Sequence, residues 1–302
     1  MNGQNPRVSI GLPVYNGEKF LGAAIDSVLS QTFVDFELII SDNASTDSTG
    51  DICRAYAARD ARVRYFRNET NLGATKNFNR VFELSSGEYF KWCAADDVCA
   101  VDFLEKCVEA LDRDPSVVLC YSKTRGIDEY GRDQGDLDFD LDIGSRNPHR
   151  RFHDLVCVSH PCFAVFGVVR AGILRETMLI GNYVSSDRVL LAQLSLYGRF
   201  YEVPEYLFFR RNHPETSQRL FPSYYARAEW FDPGKKGAIV FPAWKVFMEY
   251  FRSIRGAPLN RREQARCYMQ IVRWITIRKN WSTMLLDLMM GTGKFMQRIG
   301  RV

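Results

Sequence analysis

The chain has 302 residues, 46% hydrophobic and 25% charged, with a formal net charge of +4, a composition typical of a globular protein with one large or two smaller domains. No stretch reaches the roughly 18 apolar residues that cross a bilayer, and no signal peptide pattern follows Met1, so we expect a cytoplasmic protein. The eight cysteines form no C-x-x-C pair, which argues against a zinc site or a disulfide framework and favours reduced core residues.

Strand and helix patterns alternate through the first 121 residues. Short apolar runs that predict strands occur at 8–14, 36–41, 63–66, 87–93 and 117–121. Helical patterns lie between them, at 18–31, 48–59, 74–84 and 101–111. Repeated strand–helix units of this length predict an α/β fold, with a doubly wound, mainly parallel sheet and helices on both faces.

The second part of the chain is less regular. Residues 128–150 are acidic, rich in glycine and without periodicity, and they predict a mobile loop, either a functional lid or an exposed excursion. A strand at 163–169, a helix at 186–197 and a strand at 200–203 follow. Beyond Pro222 the pattern becomes helical, with apolar residues at i, i+3, i+4 and i+7: Trp244, Phe247, Met248 and Phe251, then Tyr268, Ile271, Val272 and Ile275.

The C-terminal part is strongly basic, since residues 234–302 hold fourteen Lys or Arg against three Asp or Glu. Basic amphipathic helices that carry tryptophan bind anionic membrane surfaces, and tryptophans occur here at Trp230, Trp244, Trp274 and Trp281. Two interpretations follow: peripheral attachment to the inner face of the plasma membrane, or packing of these helices on the rest of the protein or on a second copy. No recognition motif accompanies the charge, so we expect no nucleic acid partner.

The ends of the predicted strands indicate where a ligand binds, because ligands of open parallel sheets bind beyond the carboxyl ends of the strands. Polar residues follow three of these strands, at 13–16, 42–47 and 94–97. Neither a G-x-G-x-x-G nor a P-loop pattern is present, which argues against a redox dinucleotide site and a P-loop ATPase. The paired carboxylates Asp96 and Asp97 suit a hard divalent cation that shares its ligands with substrate phosphates.

Two longer runs resemble the family-2 glycosyltransferases of the GT-A fold: VSIGLPVYNGEKFLGAAIDSVLSQTFVDFELIISDNASTDST (8–49) and NLGATKNFNRVFELSSGEYFKWCAADD (71–97). The resemblance extends over roughly residues 7–215. It implies a GT-A catalytic domain at 1–222, with a nucleotide-sugar-binding half at 7–110 and an acceptor-binding half at 111–222. A basic, aromatic-rich helical extension would then occupy 223–302.

The resemblance also implies the residues that bind the donor. Those expected at the nucleotide base are Pro13, Tyr15, Asn16, Glu18 and Asp42. Those expected at the base, ribose and pyrophosphate are Asn71, Lys76, Asn77, Asp97, Arg210 and Arg211.

The metal site implied by the resemblance holds Mn²⁺ or Mg²⁺. Its expected ligands are Asp96, with Asp97 beside it, and His213, which contacts the metal or a phosphate. The sequence departs from the family pattern here, because Ala94 replaces the first carboxylate of the usual acidic motif. That change puts the ribose contact and the metal affinity in question.

The catalytic base implied by the resemblance is Asp187, with Ser186 in place of the usual glutamate. The alternative for Asp187 is a first-turn carboxylate that the helix dipole favours. The implied reaction inverts the anomeric carbon, taking a sugar from a UDP- or dTDP-sugar to a saccharide or lipid-linked acceptor in cell-surface polysaccharide or glycolipid assembly. The sequence leaves the oligomeric state open.

Two rival functions remain. A catalytically silent nucleotide-sugar-binding module is suggested by Ala94 and Ser186, which stand where acids are usual. A nucleotidyltransferase on a related fold would need a Gly-rich, basic loop after the first strand, and LPVYNGEKF does not provide one.

Overall fold

Nine strands form one mixed sheet in the computed structural model, which describes residues 5–220, 227, 231 and 241–299. In chain order the strands are β1 (Val8–Val14), β2 (Phe36–Asp42), β3 (Val63–Arg67), β4 (Tyr89–Trp92), β5 (Val98–Cys99), β6 (Val117–Ile127), β7 (Asp133–Asp136), β8 (Val168–Arg170) and β9 (Arg199–Arg211). Their order across the sheet is β3-β2-β1-β4-β8-β6-β9-β5, and β7 pairs with β6. Strands β3, β2, β1 and β4 are parallel, and so are β6 and β9. Strand β8 joins these two groups by pairing antiparallel with β4 and β6.

Helices cover both faces of this sheet, as predicted. They are α1 (Leu21–Leu29), α2 (Thr49–Arg59), α3 (Ala74–Glu83), α4 (Phe103–Arg113), α5 (Pro148–Cys157), α6 (Ala171–Arg175), α7 (Ser186–Tyr197), α8 (Ser217–Leu220), α9 (Pro242–Gly256), α10 (Arg261–Thr276) and α11 (Arg278–Ile299). One hydrophobic core lies between the sheet and α1, α2 and α4. The other lies between the opposite face and α3, α5, α7, α9 and α10. This architecture confirms the predicted fold class.

The central strand β1 shows why its sequence suits this position. Its residues are all buried, and its apolar side chains, including Ile10 and Leu12, alternate onto the face that α1 covers. On the other face a Cβ at Gly11 would lie 2.5 Å from Val81 of α3. The glycine therefore lets α3 approach the sheet closely.

The part of the chain after residue 110 differs most from the sequence-based expectation. Strands β6 and β9 continue beyond their predicted ends because they pair with each other along their length. The predicted loop at 128–150 contains β7 and the start of α5. The strand predicted at 163–169 is a 3-10 turn followed by the short β8. The buried ammonium of Lys91 donates to the Phe166 carbonyl of that turn, which meets its need for an acceptor in an apolar setting.

The C-terminal helices α9 and α10 pack against the sheet-bearing part of the chain. Tyr250 of α9 meets Phe152 of α5 edge to face, and Trp274 of α10 stacks on Phe247. The predicted boundary at 222/223 and Trp230 lie outside the described residues, so the division into two domains stays a prediction. None of the described helices has both the length and the apolar composition to span a bilayer.

A buried carboxylate joins three segments at the amino end of the sheet. Glu37 of β2 accepts hydrogen bonds from the Ser9 hydroxyl, from the Arg64 guanidinium, and from the amide and hydroxyl of Ser86. Burial alone would raise the pKa of Glu37, but these hydrogen bonds outweigh it and lower the pKa below its usual value.

We predict that Glu37→Gln lowers the free energy of unfolding by about 1–2 kcal/mol at neutral pH, because Arg64 loses its partner. Because the pKa of Glu37 is lower in the folded protein, its contribution to stability is complete above the unfolded pKa of about 4.3. The contribution is lost as the pH falls through the lower pKa of the folded state. Urea unfolding at neutral pH and near pH ~3 measures both effects. The exposed Glu69→Gln is the control, and an equal loss in that variant would contradict the assignment.

Candidate active site

The carboxyl ends of β1, β2 and β4 meet at one edge of the sheet, because these strands are parallel and in register. The segments that leave this edge are residues 15–20, 43–48 and 93–97. They contain most of the polar residues expected to bind a nucleotide. The edge is therefore the place where those expectations can be compared with geometry.

The loops after β1 and β2 are bonded to each other. The backbone amide of Asn16 donates to the Ser45 hydroxyl (2.9 Å), and its side-chain oxygen accepts from the Thr46 amide (2.9 Å). Asn16 adopts a left-handed conformation (φ 50°), which asparagine tolerates better than most residues. These reciprocal bonds fix the two loops as one rigid unit.

A second pair of bonds extends this unit to the start of α2. The Glu18 amide donates to Asp47 (3.2 Å), and the Glu18 carboxylate accepts from the Ser48 amide (2.9 Å). Tyr15 is about half exposed and is available to a ligand, whereas Pro13 is buried within β1. The roles expected for these residues at a nucleotide base stay predictions.

Asp42 is completely buried at the end of β2. Its carboxylate accepts from the Ser45 amide (2.8 Å), the Tyr65 hydroxyl (2.9 Å) and the Arg67 guanidinium (2.7 Å). These three bonds hold the loop after β2 in place. Arg67, which also donates to the Ser45 carbonyl (2.7 Å), was not among the expected site residues. Its position at the end of β3, the neighbouring parallel strand, is the signal that could have identified it.

A group of hydrogen-bonded asparagines lies between the loop after β2 and the start of α3. Asn43 donates to Asn71 (2.8 Å) and accepts from Asn68 (3.0 Å). Asn77 is buried and donates to the Ser41 carbonyl (2.9 Å). Asn43 and Asn68 were missed from the sequence because amide networks have no spacing rule. Lys76, by contrast, is exposed, and the nucleotide contacts expected of Asn71, Lys76 and Asn77 stay predictions.

Asp96 and His213 lie 117 residues apart in the sequence, and the fold brings them together. The Asp96 Oδ2 lies 3.0 Å from the His213 Nε2, and the two side chains are 36% and 6% exposed. The His213 ring packs on Phe20, with centroids 4.6 Å apart. Its Nδ1 is buried with no hydrogen-bond partner in the described part of the chain. The pair thus presents one oxygen and one nitrogen at the sheet edge.

Asp97 points into the protein, unlike its neighbour. It is 6% exposed, and its Oδ1 accepts from the backbone amide of Arg211 (2.8 Å). Burial, together with the charge of Asp96, raises the pKa of Asp97 to about 8. The metal and ribose contacts expected of Asp97 stay predictions.

The two arginines at the end of β9 differ in their surroundings. Arg211 is buried, and its guanidinium donates to the carbonyls of Asp96 (2.9 Å), Asp128 (3.1 Å) and Glu129 (3.3 Å). Arg210 is half-buried, and its guanidinium lies 5.8 Å from the Phe163 ring centre. Arg210 is therefore the more accessible cation of the two. The pyrophosphate contact expected of both arginines stays a prediction.

The residues at this edge suit a divalent cation only in part. Adjacent ligands of an octahedral ion, each about 2.1 Å from it, lie about 3 Å apart, which is the separation of Asp96 Oδ2 and His213 Nε2. No group of three or more His, Cys, Asp or Glu able to hold a metal occurs in the described residues. Two protein ligands suffice where substrate phosphates and water complete the shell, so the pair fits an ion bound together with a diphosphate.

Asp187 lies in the first turn of α7 and accepts from the Arg188 amide (2.8 Å). The preceding Ser185 is left-handed (φ 66°). Burial raises the pKa of the nearby Cys162 thiol, and the charge of Asp187 adds to this effect. Ser186, which stands where the family has a glutamate, is fully buried, and its hydroxyl has no hydrogen-bond partner in the described part of the structure.

The segment before Asp187 is attached to α3. The Asn79 side chain of α3 both donates to and accepts from the backbone of Ile180 (3.0 and 3.1 Å). Phe163, which lies beneath Arg210, follows directly after Cys162 beside Asp187. Residues 160–166 thus connect the expected base with the end of β9.

A partly open cavity lies among residues 121–124, 137–143 and 160–164. Its lining includes Tyr121, Phe139, Glu202 and His160. Burial raises the pKa of the Glu202 carboxyl. The cavity is separate from the Asp96–His213 pair and borders the 160–164 segment that leads to Asp187.

Comparison with known proteins identifies the family. The model described as Glycosyl transferase family 2 matches residues 9–170, more than half of the chain. Glycosyltransferase GlyG of Streptococcus pneumoniae is 32% identical over 113 residues, which span 37% of this chain and 38% of that protein.

Among solved structures, S. aureus TarS 1–349 in complex with UDP-GlcNAc superposes with a TM-score of 0.67 and 16% identity, covering 95% of this chain and 81% of that one. A Pyrobaculum calidifontis mannosyltransferase in complex with GDP-Man and Mn²⁺ gives 0.53 and 15%, covering 97% and 87%. These likenesses establish the fold. The chain belongs to glycosyl transferase family 2 and has the GT-A fold.

Proposed function

We propose that this protein transfers a sugar from a nucleotide-diphosphate sugar to a hydroxyl of a saccharide or lipid-linked saccharide, with inversion at the anomeric carbon. The observation that carries the proposal is the convergence of Asp96 and His213, 3.0 Å apart, at the sheet edge that the two interlocked loops border. The reaction fits the assembly of cell-surface polysaccharide or glycolipid in the cytoplasm. Eight free cysteine thiols are consistent with that reducing compartment.

The donor is proposed to be a UDP- or dTDP-sugar. In support, TarS binds UDP-GlcNAc on the same fold. The half-exposed ring of Tyr15 offers a surface for the base, and Arg210 offers a positive charge for the diphosphate.

Asp96 and His213 are proposed to hold Mn²⁺ or Mg²⁺. When bound, such an ion neutralises negative charge on the leaving diphosphate. The mannosyltransferase of similar fold binds Mn²⁺ with its nucleotide sugar, which supports the assignment. Asp97 contributes by fixing the end of β9 beside its neighbour, through its bond to the Arg211 amide.

Asp187 is proposed to accept the proton of the acceptor hydroxyl as that oxygen attacks the sugar. Its carboxylate is half-buried at a helix N-terminus, beside the segment that borders the partly open cavity. The aromatic rings and carboxyls of this cavity, Tyr121 and Glu202 among them, suit the apolar faces and hydroxyls of a saccharide.

We predict that Asp187→Asn keeps nucleotide affinity within about twofold and slows turnover by about 10²–10⁴-fold, because only proton transfer is lost. Calorimetry with UDP and UDP release from UDP-GlcNAc with Mn²⁺ measure the two effects. The exposed Glu176→Gln in the same half is the matched control. Near-normal turnover of Asp187→Asn would remove it from the role. Tight UDP binding without any release by the unaltered protein would favour the silent binding module.

We predict that Asp96→Ala abolishes the gain in UDP affinity that Mn²⁺ gives, a loss of at least about tenfold, and leaves affinity in EDTA unchanged. His213→Gln should reduce the same gain. Titration calorimetry of UDP with Mn²⁺ and with EDTA separates metal binding from nucleotide binding without an activity assay. The exposed Asp133→Ala should behave as the unaltered protein. An undiminished Mn²⁺ effect in Asp96→Ala refutes the metal site.

We predict opposite consequences for the two adjacent arginines. Arg211→Gln should lower the free energy of unfolding by about 2–4 kcal/mol, because three partly buried carbonyls lose a donor from a buried side chain. Arg210→Gln should change stability by less than about 1 kcal/mol and weaken UDP binding roughly tenfold. Urea unfolding and calorimetry on both variants check the pair. Equal stability loss in the two variants would contradict these assignments.

A further inference from the structure

The outer face of α11 is apolar over about two and a half turns. Trp281, Leu285, Leu288 and Met289 follow one another at i, i+4, i+7 and i+8 and are 41–69% exposed. The charged side chain between positions 281 and 290 is Asp287, and it is buried. We call these four residues the α11 face. An apolar strip of this length is unusual on a surface that only water covers.

The opposite side of α11 fixes the helix in this orientation. Met284 is buried, and the Asp287 carboxylate accepts from the backbone amide of Ala243 at the start of α9 (2.7 Å). This amide is one of those that an α-helix leaves without an internal partner. Because the anchor is a buried, charge-assisted hydrogen bond, the α11 face is held outward.

Helix α9 extends the apolar surface. Trp244, Met248 and Phe251 lie at i, i+4 and i+7 and are each more than a third exposed. The Trp244 indole donates to the Met284 carbonyl of α11 (3.1 Å), so the two helices are in contact beside their apolar strips. The combined surface includes two tryptophans, side chains that favour the boundary between hydrocarbon and water.

Positive charge is exposed on the neighbouring helix α10 and at the start of α11. Arg262, Arg266 and Arg273 lie on the exposed side of α10, next to the exposed Met269 and Val272. Arg278 and Lys279 precede the α11 face. Among the residues that the structure describes, none of these five cations forms a salt bridge, whereas Lys245 and Arg252 of α9 both pair with Glu249. The five cations are therefore available to an external anion.

We propose that α9–α11 form a docking surface for an anionic phospholipid bilayer, with the α11 face among the acyl chains and the five cations on the headgroups. A bilayer supplies both chemistries at once, an apolar layer and a sheet of negative charge a few ångströms above it. The surface lies in the interface and does not cross the bilayer, which agrees with the lack of a membrane-spanning helix in the described residues. The inference stands independently of the proposed transfer reaction.

Co-sedimentation of the full chain with vesicles tests this proposal. Vesicles of phosphatidylcholine alone and of phosphatidylcholine mixed with phosphatidylglycerol separate apolar insertion from charge. We expect binding to the mixed vesicles, weakened by salt, and much less binding to phosphatidylcholine alone. Leu285→Gln with Leu288→Gln should reduce affinity for the mixed vesicles at least about tenfold, since two apolar anchors are lost. Arg266→Gln with Arg273→Gln should weaken the salt dependence, since two of the five cations are lost.

A matched control carries the same change elsewhere. Val34→Gln with Val101→Gln alters two exposed apolar residues outside this surface, at 70% and 52% exposure, and should bind as the unaltered protein does. Circular dichroism and unfolding by urea verify that each variant is folded. Absence of binding to anionic vesicles overturns the proposal, and so does unchanged binding of the folded Leu285/Leu288 variant. A dimer that sediments without lipid, and that this variant dissociates, would instead assign the surface to a second copy of the chain.

Discussion

The active-site edge depends on the hydrogen bonds that the buried Arg211 guanidinium donates. Arg211 joins the loop after β4, the turn after β6 and the end of β9, segments far apart in the sequence. Its backbone amide also holds Asp97. An arginine can do this because its planar group presents several donors in fixed directions, and here three carbonyls accept from it. The position of His213 beside Asp96 follows from this link, since His213 lies two residues beyond Arg211.

The loops after β1 and β2 are ordered by a different kind of hydrogen bond. There the order comes from small polar side chains bonded to backbone amides, as at Asn16 and Asp42. Such bonds leave little freedom for the loops after β1 and β2. A ligand that meets preformed loops loses less affinity to ordering than one that must organise them. The expected donor side of the site is thus rigid before any nucleotide arrives.

The parallel part of the fold could be read from the sequence because β1, β2 and β4 are short, fully buried runs, and helices follow β1, β2 and β3. The part that contains β6 and β9 could not, because β6 continues through charged residues such as Lys123 and Arg125, whose strand conformation depends on pairing. The strand conformation of those residues is set by their tertiary contacts and not by their local preference.

The same distinction applies to the candidate site. The resemblance led to Asp96 and His213 as neighbours, and the geometry brings them together. It did not assign different roles to Arg210 and Arg211, or to Asp96 and Asp97. Each pair consists of two residues of the same type, yet adjacent side chains in a strand or turn point in different directions. Burial and hydrogen bonding, which the sequence does not encode locally, distinguish the members of each pair.

Helix α9 touches both the proposed docking surface and the segment before Asp187. Its Lys245 lies 5.5 Å from the ring of Tyr183, four residues before the proposed base, while its Trp244 faces outward. A helix is about 10–12 Å across with its side chains. For a chain docked as proposed, the thickness of α9 sets the distance between the lipid headgroups and the reacting hydroxyl. Acceptors whose hydroxyl stays within about that height would be in reach, and glycans already grown far from their lipid would not.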